Sequence, residues 1–262
     1  MLLCVDIGNK IISFGFFADD CELVATFDIS SVTLRTSDEY ASLIKCISKD
    51  KQIDLSDTDG AIISSVVPSL TDTLVSTIRE LTAIEPLIVG PGVKTGFSIK
   101  IDNPSELGAD MVANTAAALQ KRRGGEAIIV ADLGTVNTVS AINKKGEYIG
   151  CAIFPGAELC FDVLYREAAL LPNIKSGNNS AAIGRNSQSA VRSGVLCGNA
   201  MTIDGFVNKF SSEMSVTPEE IMLIATGTEA RSILPLLERK FIYDGNLTLE
   251  GLYFIYKNNK QI

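Results

Sequence analysis

The chain has 262 residues, 46% of them hydrophobic and 21% charged, a globular balance that fits one large domain or two smaller ones. Its 23 Lys plus Arg against 31 Asp plus Glu give a formal net charge of -8, which speaks against a non-specific nucleic-acid or anionic-membrane binder. It has no histidine, so a Ser-His-Asp triad, a Cys-His pair and a His-ligated zinc centre are excluded, and a general base has to be Asp, Glu, Lys or Tyr.

The apolar run 2–6 predicts a strand that ends in Asp6-Ile7-Gly8-Asn9. Strands over 11–17 and 22–27 follow, separated by Asp19-Asp20. Amphipathic spacing predicts helices over 37–48 and 69–81, with short strands at 60–64 and 86–89 around the second. Asn103-Pro104-Ser105-Glu106 has the capping pattern of a helix start, but Gly108 is expected to interrupt it, so that the helix proper begins at Ala109 and runs to about Lys121.

From residue 127 the opening pattern returns. A strand over 127–131 runs into Asp132-Leu133-Gly134-Thr135, then a strand over 138–142, a turn at Asn143 to Gly146, and a strand over 147–153. Helices are predicted over 156–171, 187–214, 230–240 and 248–258, with a strand at 222–225. Strands alternating with helices predict α/β layers. The repeated strand, Asp-x-Gly, strand unit predicts two similar lobes, residues 1–115 and residues 116–262.

A glycine after a buried strand lets the main chain turn sharply, and the exposed N–H groups make a nest for phosphate oxygens. The aspartate repels phosphate and must act through a cation or a water, so a metal-bridged nucleotide phosphate is the natural ligand. A single Asp-x-Gly is a common turn; two of them, each between apolar strands, point to a clamp for a triphosphate. Ala225-Thr226-Gly227 could carry an adenine against its backbone, or be an ordinary strand-to-helix junction. Asp110 stands in an apolar neighbourhood and could accept a hydroxyl proton, or be a solvated helix-start carboxylate. Gly90 to Gly96 is glycine-rich but lacks the order of a Walker motif.

The six cysteines are scattered, with no C-x-x-C pair, and read as small core hydrophobes in a reducing compartment. No apolar run reaches membrane-spanning length, and the first residues lack the basic region of a signal peptide, so a cytoplasmic location is expected.

Several segments in order, Asp6 to Asn9, Gly90 to Gly96, Asp102 to Pro104, Gly108 to Asp110, Asp132 to Thr135, Phe154 to Gly156, Ile183 to Ser187, Ala225 to Gly227 and Leu247 to Leu252, carry a family resemblance. The chain resembles the type III pantothenate kinases of the acetate and sugar kinase/Hsc70/actin superfamily. The resemblance implies two actin-like (ribonuclease H-like) lobes, each a mixed five-stranded sheet with flanking helices, with a nucleotide cleft between them. It implies ATP-dependent phosphorylation of pantothenate, or a related small hydroxy acid, to 4′-phosphopantothenate, the first step of coenzyme A synthesis.

By the same resemblance Asp6, Gly8, Asn9, Lys10, Gly134, Thr135 and Gly227 belong to the ATP site, with Asp6 acting through Mg2+ or a water. Asp132 would bind a monovalent cation, K+ or NH4+, and Asp110 would be the base. Gly108, Ala109, Asp110, Met111 and Ser187 would line the pantothenate site. A homodimer is implied, with the substrate pocket at the interface and the helices near 109–121 and 187–214 as seams; no nucleic acid or membrane is involved.

This sequence departs from the family pattern at Lys10 for Thr, Ile101 for Tyr, Met111 for Arg, Val136-Asn137 for Ala-Thr, and Thr228 for Gly. Met111 removes the forked cation expected opposite the pantothenate carboxylate, leaving Lys100 or Arg185 as replacements to consider. The alternative is an impaired or substrate-shifted paralogue that binds nucleotide or a partner in a regulatory role.

Overall fold

The computed structural model describes residues 1–174, 177 and 181–260. In chain order the elements are β1 (Leu2–Ile7), β2 (Ile11–Phe17), β3 (Leu23–Ser30), α1 (Ser37–Asp50), β4 (Gly60–Ser65), α2 (Pro68–Thr82), β5 (Leu87–Ile88) and α3 (Ala109–Gln120). There follow β6 (Ala127–Leu133), β7 (Val136–Ile142), β8 (Tyr148–Pro155), α4 (Ala157–Glu167), α5 (Ser187–Arg192), α6 (Gly198–Glu213), β9 (Ile221–Thr226), α7 (Ala230–Ile233), β10 (Ile242–Tyr243) and α8 (Leu247–Lys260).

The strands form two five-stranded sheets, ordered β3-β2-β1-β4-β5 and β10-β9-β6-β7-β8. The topology is the same in each. β1 runs antiparallel to β2 and parallel to β4, as β6 does to β7 and β9. The duplication read from the sequence is therefore a duplication of sheets.

In the first sheet Leu3, Val5 and Ile7 pack against Tyr40 and Ile44 of α1 and Leu70, Leu74 and Ile78 of α2. Leu2 and Cys4 face the other way, toward Val112 and Ala116 of α3 and Leu252 and Ile255 of α8. A strand covered on both faces has no polar side to show, which is why β1 reads as an unbroken apolar run. In the second sheet Ile129, Ala131 and Leu133 pack on Phe161 of α4, Ile203 and Val207 of α6 and Ile233 of α7.

The chain divides into two compact units, residues 1–97, 102–120 and 246–262, and residues 98–101 and 121–245. The expected division at 115/116 is corrected in two places. The whole of α3 stays with the first sheet, and α8 returns to it, because α3 and α8 pack together over that sheet's second face. Residues 98–101 join the second unit by bonding beside β8: Tyr148 N–H donates to Ser98 O at 2.9 Å and Lys100 N–H to Tyr148 O at 2.7 Å.

Several local expectations shift. Pro104–Glu106 is a single 3-10 turn capped by Asn103, and α3 starts afresh at Ala109, as the glycine between them suggested. The helix expected over 230–240 stops at Ile233 and tightens into a 3-10 turn over Leu234–Leu236, since Pro235 has no N–H to continue it. The helix expected over 187–214 is interrupted by one π turn at Ser193–Cys197. Cys4 alone of the cysteines is fully buried; Cys46 and Cys151 are exposed, so the core reading does not extend to all six. Met111 to Ala118 of α3 are buried within the chain.

Candidate active site

In the first unit, Asp6 stands one residue before the end of β1, opposite Ser64 of β4 in parallel register. Ser64 is fully buried, and its Oγ donates to Asp6 Oδ1 at 2.7 Å, which fixes one carboxylate oxygen. The turn then folds on itself, with Gly8 N–H donating to Ile11 O at 3.0 Å. Asn9 at its tip is exposed, and Lys10 is tied through its carbonyl, which accepts from Ser31 N–H at 3.0 Å.

Asp110 lies in the first turn of α3, where the helix dipole favours a carboxylate. Its Oδ1 folds back to accept from Met111 N–H at 2.8 Å. The carboxylate then occupies the space a side chain at Gly108 would need. Burial pushes the Asp110 carboxyl above the usual aspartate range, opposed by the backbone N–H groups of Met111 and of Asp110 itself. Met111, the next residue, is 6% exposed, and its side chain offers no donor.

In the second unit three loops meet at one end of the sheet. Asp132 pairs in register with Thr226 of β9 and Thr138 of β7. The turn Gly134-Thr135 is met by the β8–α4 junction. Gly156 N–H donates to Thr135 O at 3.0 Å, and any side chain at 156 would overlap Gly134 O. From the other side comes Gly227, at φ +97°, so close to the main chain of Leu133 that a Cβ there would collide with it. Asp132, Gly134, Thr135 and Gly227 are thus assembled within one unit. Ser187, at the head of α5, also belongs to this unit, whereas Gly108, Ala109, Asp110 and Met111 belong to the first.

Two features escaped the sequence reading. Glu229 accepts from Ala157 N–H at 2.7 Å and Glu158 N–H at 3.1 Å, and its own N–H donates to Leu133 O at 2.8 Å. Asn137 is fully buried on β7 and donates to Asn199 Oδ1 of α6 at 2.6 Å. Neither lies in a recognisable motif, although a glutamate soon after a Thr-Gly turn is a signal one could look for. Cys4 and Cys160 are poor nucleophile candidates, because burial pushes both thiols up.

Among the described residues no group of three or more Asp, Glu, Cys or His could hold a metal ion. Each turn offers instead one carboxylate beside hydroxyls and main-chain amides. That donor set fits Mg2+, which keeps its waters and is bound through one or two carboxylates plus the phosphates of its nucleotide.

The family model for the type III pantothenate kinases matches residues 2–209. A type III pantothenate kinase of Moorella thermoacetica is 37% identical over 259 residues, 99% of this chain and 100% of that protein. Among solved structures, the activator of 2-hydroxyisocaproyl-CoA dehydratase from Clostridium difficile with bound ADPNP matches with a TM-score of 0.55 at 10% identity, covering 100% of this chain and 97% of that one. MreB 5 of Spiroplasma citri bound to AMPPNP matches with a TM-score of 0.51 at 10% identity, over 99% and 97% of the two chains. These structural likenesses show the fold, an actin-like ATPase fold of paired five-stranded sheets. By its match over most of its length and its identity to a full-length relative, the chain belongs to the type III pantothenate kinase family.

Proposed function

We propose that this protein transfers the terminal phosphoryl group of ATP to the primary hydroxyl of pantothenate, giving 4′-phosphopantothenate. The observation that carries the proposal is the Asp110 carboxylate, held at the start of α3 by Met111 N–H and raised in pKa by burial. In a chain without histidine, a carboxylate of raised basicity is the group suited to take a hydroxyl proton.

The parts divide as follows. In the turn Gly8-Asn9-Lys10, shaped by Gly8 N–H on Ile11 O, the N–H groups of Asn9 and Lys10 meet phosphate oxygens, as those of Gly134 and Thr135 do in the second turn, with the Lys10 ammonium and the Thr135 hydroxyl adding donors. Gly227 leaves a flat main-chain surface for the adenosine. Asp6, steadied by Ser64, holds Mg2+ directly or through water, and Asp132 holds a monovalent cation, K+ or NH4+. Bound there, the cations neutralise charge on the phosphates as it develops in transfer. Asp110 orients the acceptor hydroxyl and removes its proton, and Gly108, Ala109, Met111 and Ser187 border the acceptor.

For the pantothenate carboxylate, Arg185 is the better placed of the two candidate cations. It is exposed, two residues before Ser187, whereas Lys100 has a partner in Glu147 at 4.0 Å. A homodimer with the acceptor pocket at its interface is part of the proposal. It is supported by apolar side chains left uncovered on β8, Ile149 and Ile153, and by Met201 of α6, 66% exposed. A cytoplasmic site of action fits the free cysteines, and no helix of the described residues is long and apolar enough to cross a membrane. The curated relatives are named type III pantothenate kinases, which favours catalysis over a regulatory role.

The test is an assay with ATP, Mg2+ and pantothenate, run in K+, NH4+ and Na+ buffers, with the product read by phosphorus NMR. A phosphomonoester on the primary alcohol, formed faster in K+ or NH4+, supports the proposal. A folded protein that leaves pantothenate and related hydroxy acids unchanged in all three buffers overturns it.

A further inference from the structure

We infer that Glu229 is a positioning residue of the nucleotide site, resting on the assignment of the Gly134-Thr135 and Gly227 turns to ATP made above. Helix α4 has Gly156 at its N-cap, which has no side chain to cap the first amides. A side chain cannot be placed there, because it would overlap Gly134 O. The cap is supplied from another loop. Glu229 Oε2 accepts from Ala157 N–H at 2.7 Å and its Oε1 from Glu158 N–H at 3.1 Å, so both carboxylate oxygens sit on the positive end of the helix.

The same residue is fixed at its main chain. Glu229 N–H donates to Leu133 O at 2.8 Å, on the strand that leads into Gly134-Thr135. Gly156 N–H in turn donates to Thr135 O at 3.0 Å. These bonds close a ring through three loops: from the β6–β7 turn to the β8–α4 junction, from there to the β9–α7 loop, and back to the β6–β7 turn.

Two consequences follow. The first amides of α4 are used by Glu229 and are not offered to phosphate, so phosphate contacts in this unit fall to Gly134 and Thr135. The spacing between those contacts and the Gly227 surface is set by a carboxylate that touches neither ATP nor acceptor. Removing it frees α4 and the Gly227 loop to drift apart, and weakens the nucleotide complex before it affects the proton transfer at Asp110.

The experiment compares wild type with Glu229→Ala, Glu229→Gln and Val207→Ala. The last truncates the same unit's core at a residue that makes none of the ring's hydrogen bonds and serves as a control for lost stability. ATP binding is measured by calorimetry without acceptor, alongside KM for ATP, kcat and Tm. Glu229→Ala is expected to raise the ATP dissociation constant about tenfold, the worth of one charge-assisted hydrogen bond, with kcat at saturating ATP retained. Glu229→Gln is expected to fall between, because its amide nitrogen cannot accept from Glu158 N–H. Val207→Ala is expected to lower Tm with ATP affinity unchanged. Wild-type ATP affinity in Glu229→Ala together with a lowered Tm would overturn the inference and leave Glu229 a plain helix cap. A wild type that binds no ATP would overturn the nucleotide assignment and the inference with it.

Discussion

In the first unit the turn after Asp6 is closed from within, by Gly8 N–H on Ile11 O, and reaches outward through Lys10 O, which accepts from Ser31 N–H. In the second unit the turn after Asp132 is braced from both sides, by Gly156 against Thr135 and by Gly227 and Glu229 against Leu133. The strands beneath the two turns have the same order and directions, but Asp6 pairs with Ser13 and Asp132 with Thr138, so the second hairpin is one residue tighter and its loop is differently held. A braced turn holds its donors in fixed positions at the cost of being sensitive to substitution in three separate places.

The largest expected effects test whether both turns serve one reaction. Asp6→Asn and Asp132→Asn should each lower kcat/KM by about 10²-fold, the scale of losing a residue that orients a bound cation. Asp132→Asn should in addition abolish the difference between K+ and Na+ buffers, while Asp6→Asn should preserve it. Equal K+ dependence in the two variants would break the assigned division of labour.

The turns should also differ in their tolerance of a methyl group. Gly227→Ala places a Cβ against the Leu133 main chain at φ +97°, and should cost about 3 kcal/mol of stability in urea unfolding. Gly8→Ala meets only Ile11 O, at 3.0 Å, and should cost under about 1 kcal/mol. Similar losses would show that the second turn is no better braced than the first. Smaller still is Asn137→Ala, which removes a donor bond to Asn199 but also an Oδ1 that has no hydrogen-bond partner. The two effects oppose, and a net change within about 1 kcal/mol is expected.

The strands and the repeat were legible because each Asp-x-Gly ended an apolar run, and a strand buried on both faces leaves that mark in sequence. The start of α3 at Ala109 was legible because Gly108 separates it from the capped turn at Pro104. The ring through Thr135, Gly156 and Glu229 was not legible. Its members come from three loops between residues 134 and 229, and long-range main-chain bonds impose no side-chain pattern except at the glycines. The return of α8 to the first sheet was hidden for a related reason. An apolar helix face does not say which sheet it will cover.

With Asp110 as the proposed base, its titration should set the pH dependence. Burial raises its pKa, so it is protonated, and lost as a base, at a higher pH than an ordinary aspartate. The acid limb of kcat should therefore lie above the usual aspartate range. The same shift means that the folded state binds this proton more tightly than the unfolded state. Its contribution to stability is then present at low pH and is lost as pH rises through the raised value. Asp110→Asn removes that loss, and at neutral pH should unfold no earlier than wild type.

The most direct measurement is pantothenate-dependent ADP release by wild type and Asp110→Asn, with ATP binding to both followed by calorimetry. The account predicts turnover in wild type, a loss of about 10²–10⁴-fold in the variant, and equal ATP affinity in the two. Undiminished turnover by Asp110→Asn, or a wild type that binds ATP and never transfers its phosphoryl group to pantothenate, would contradict it.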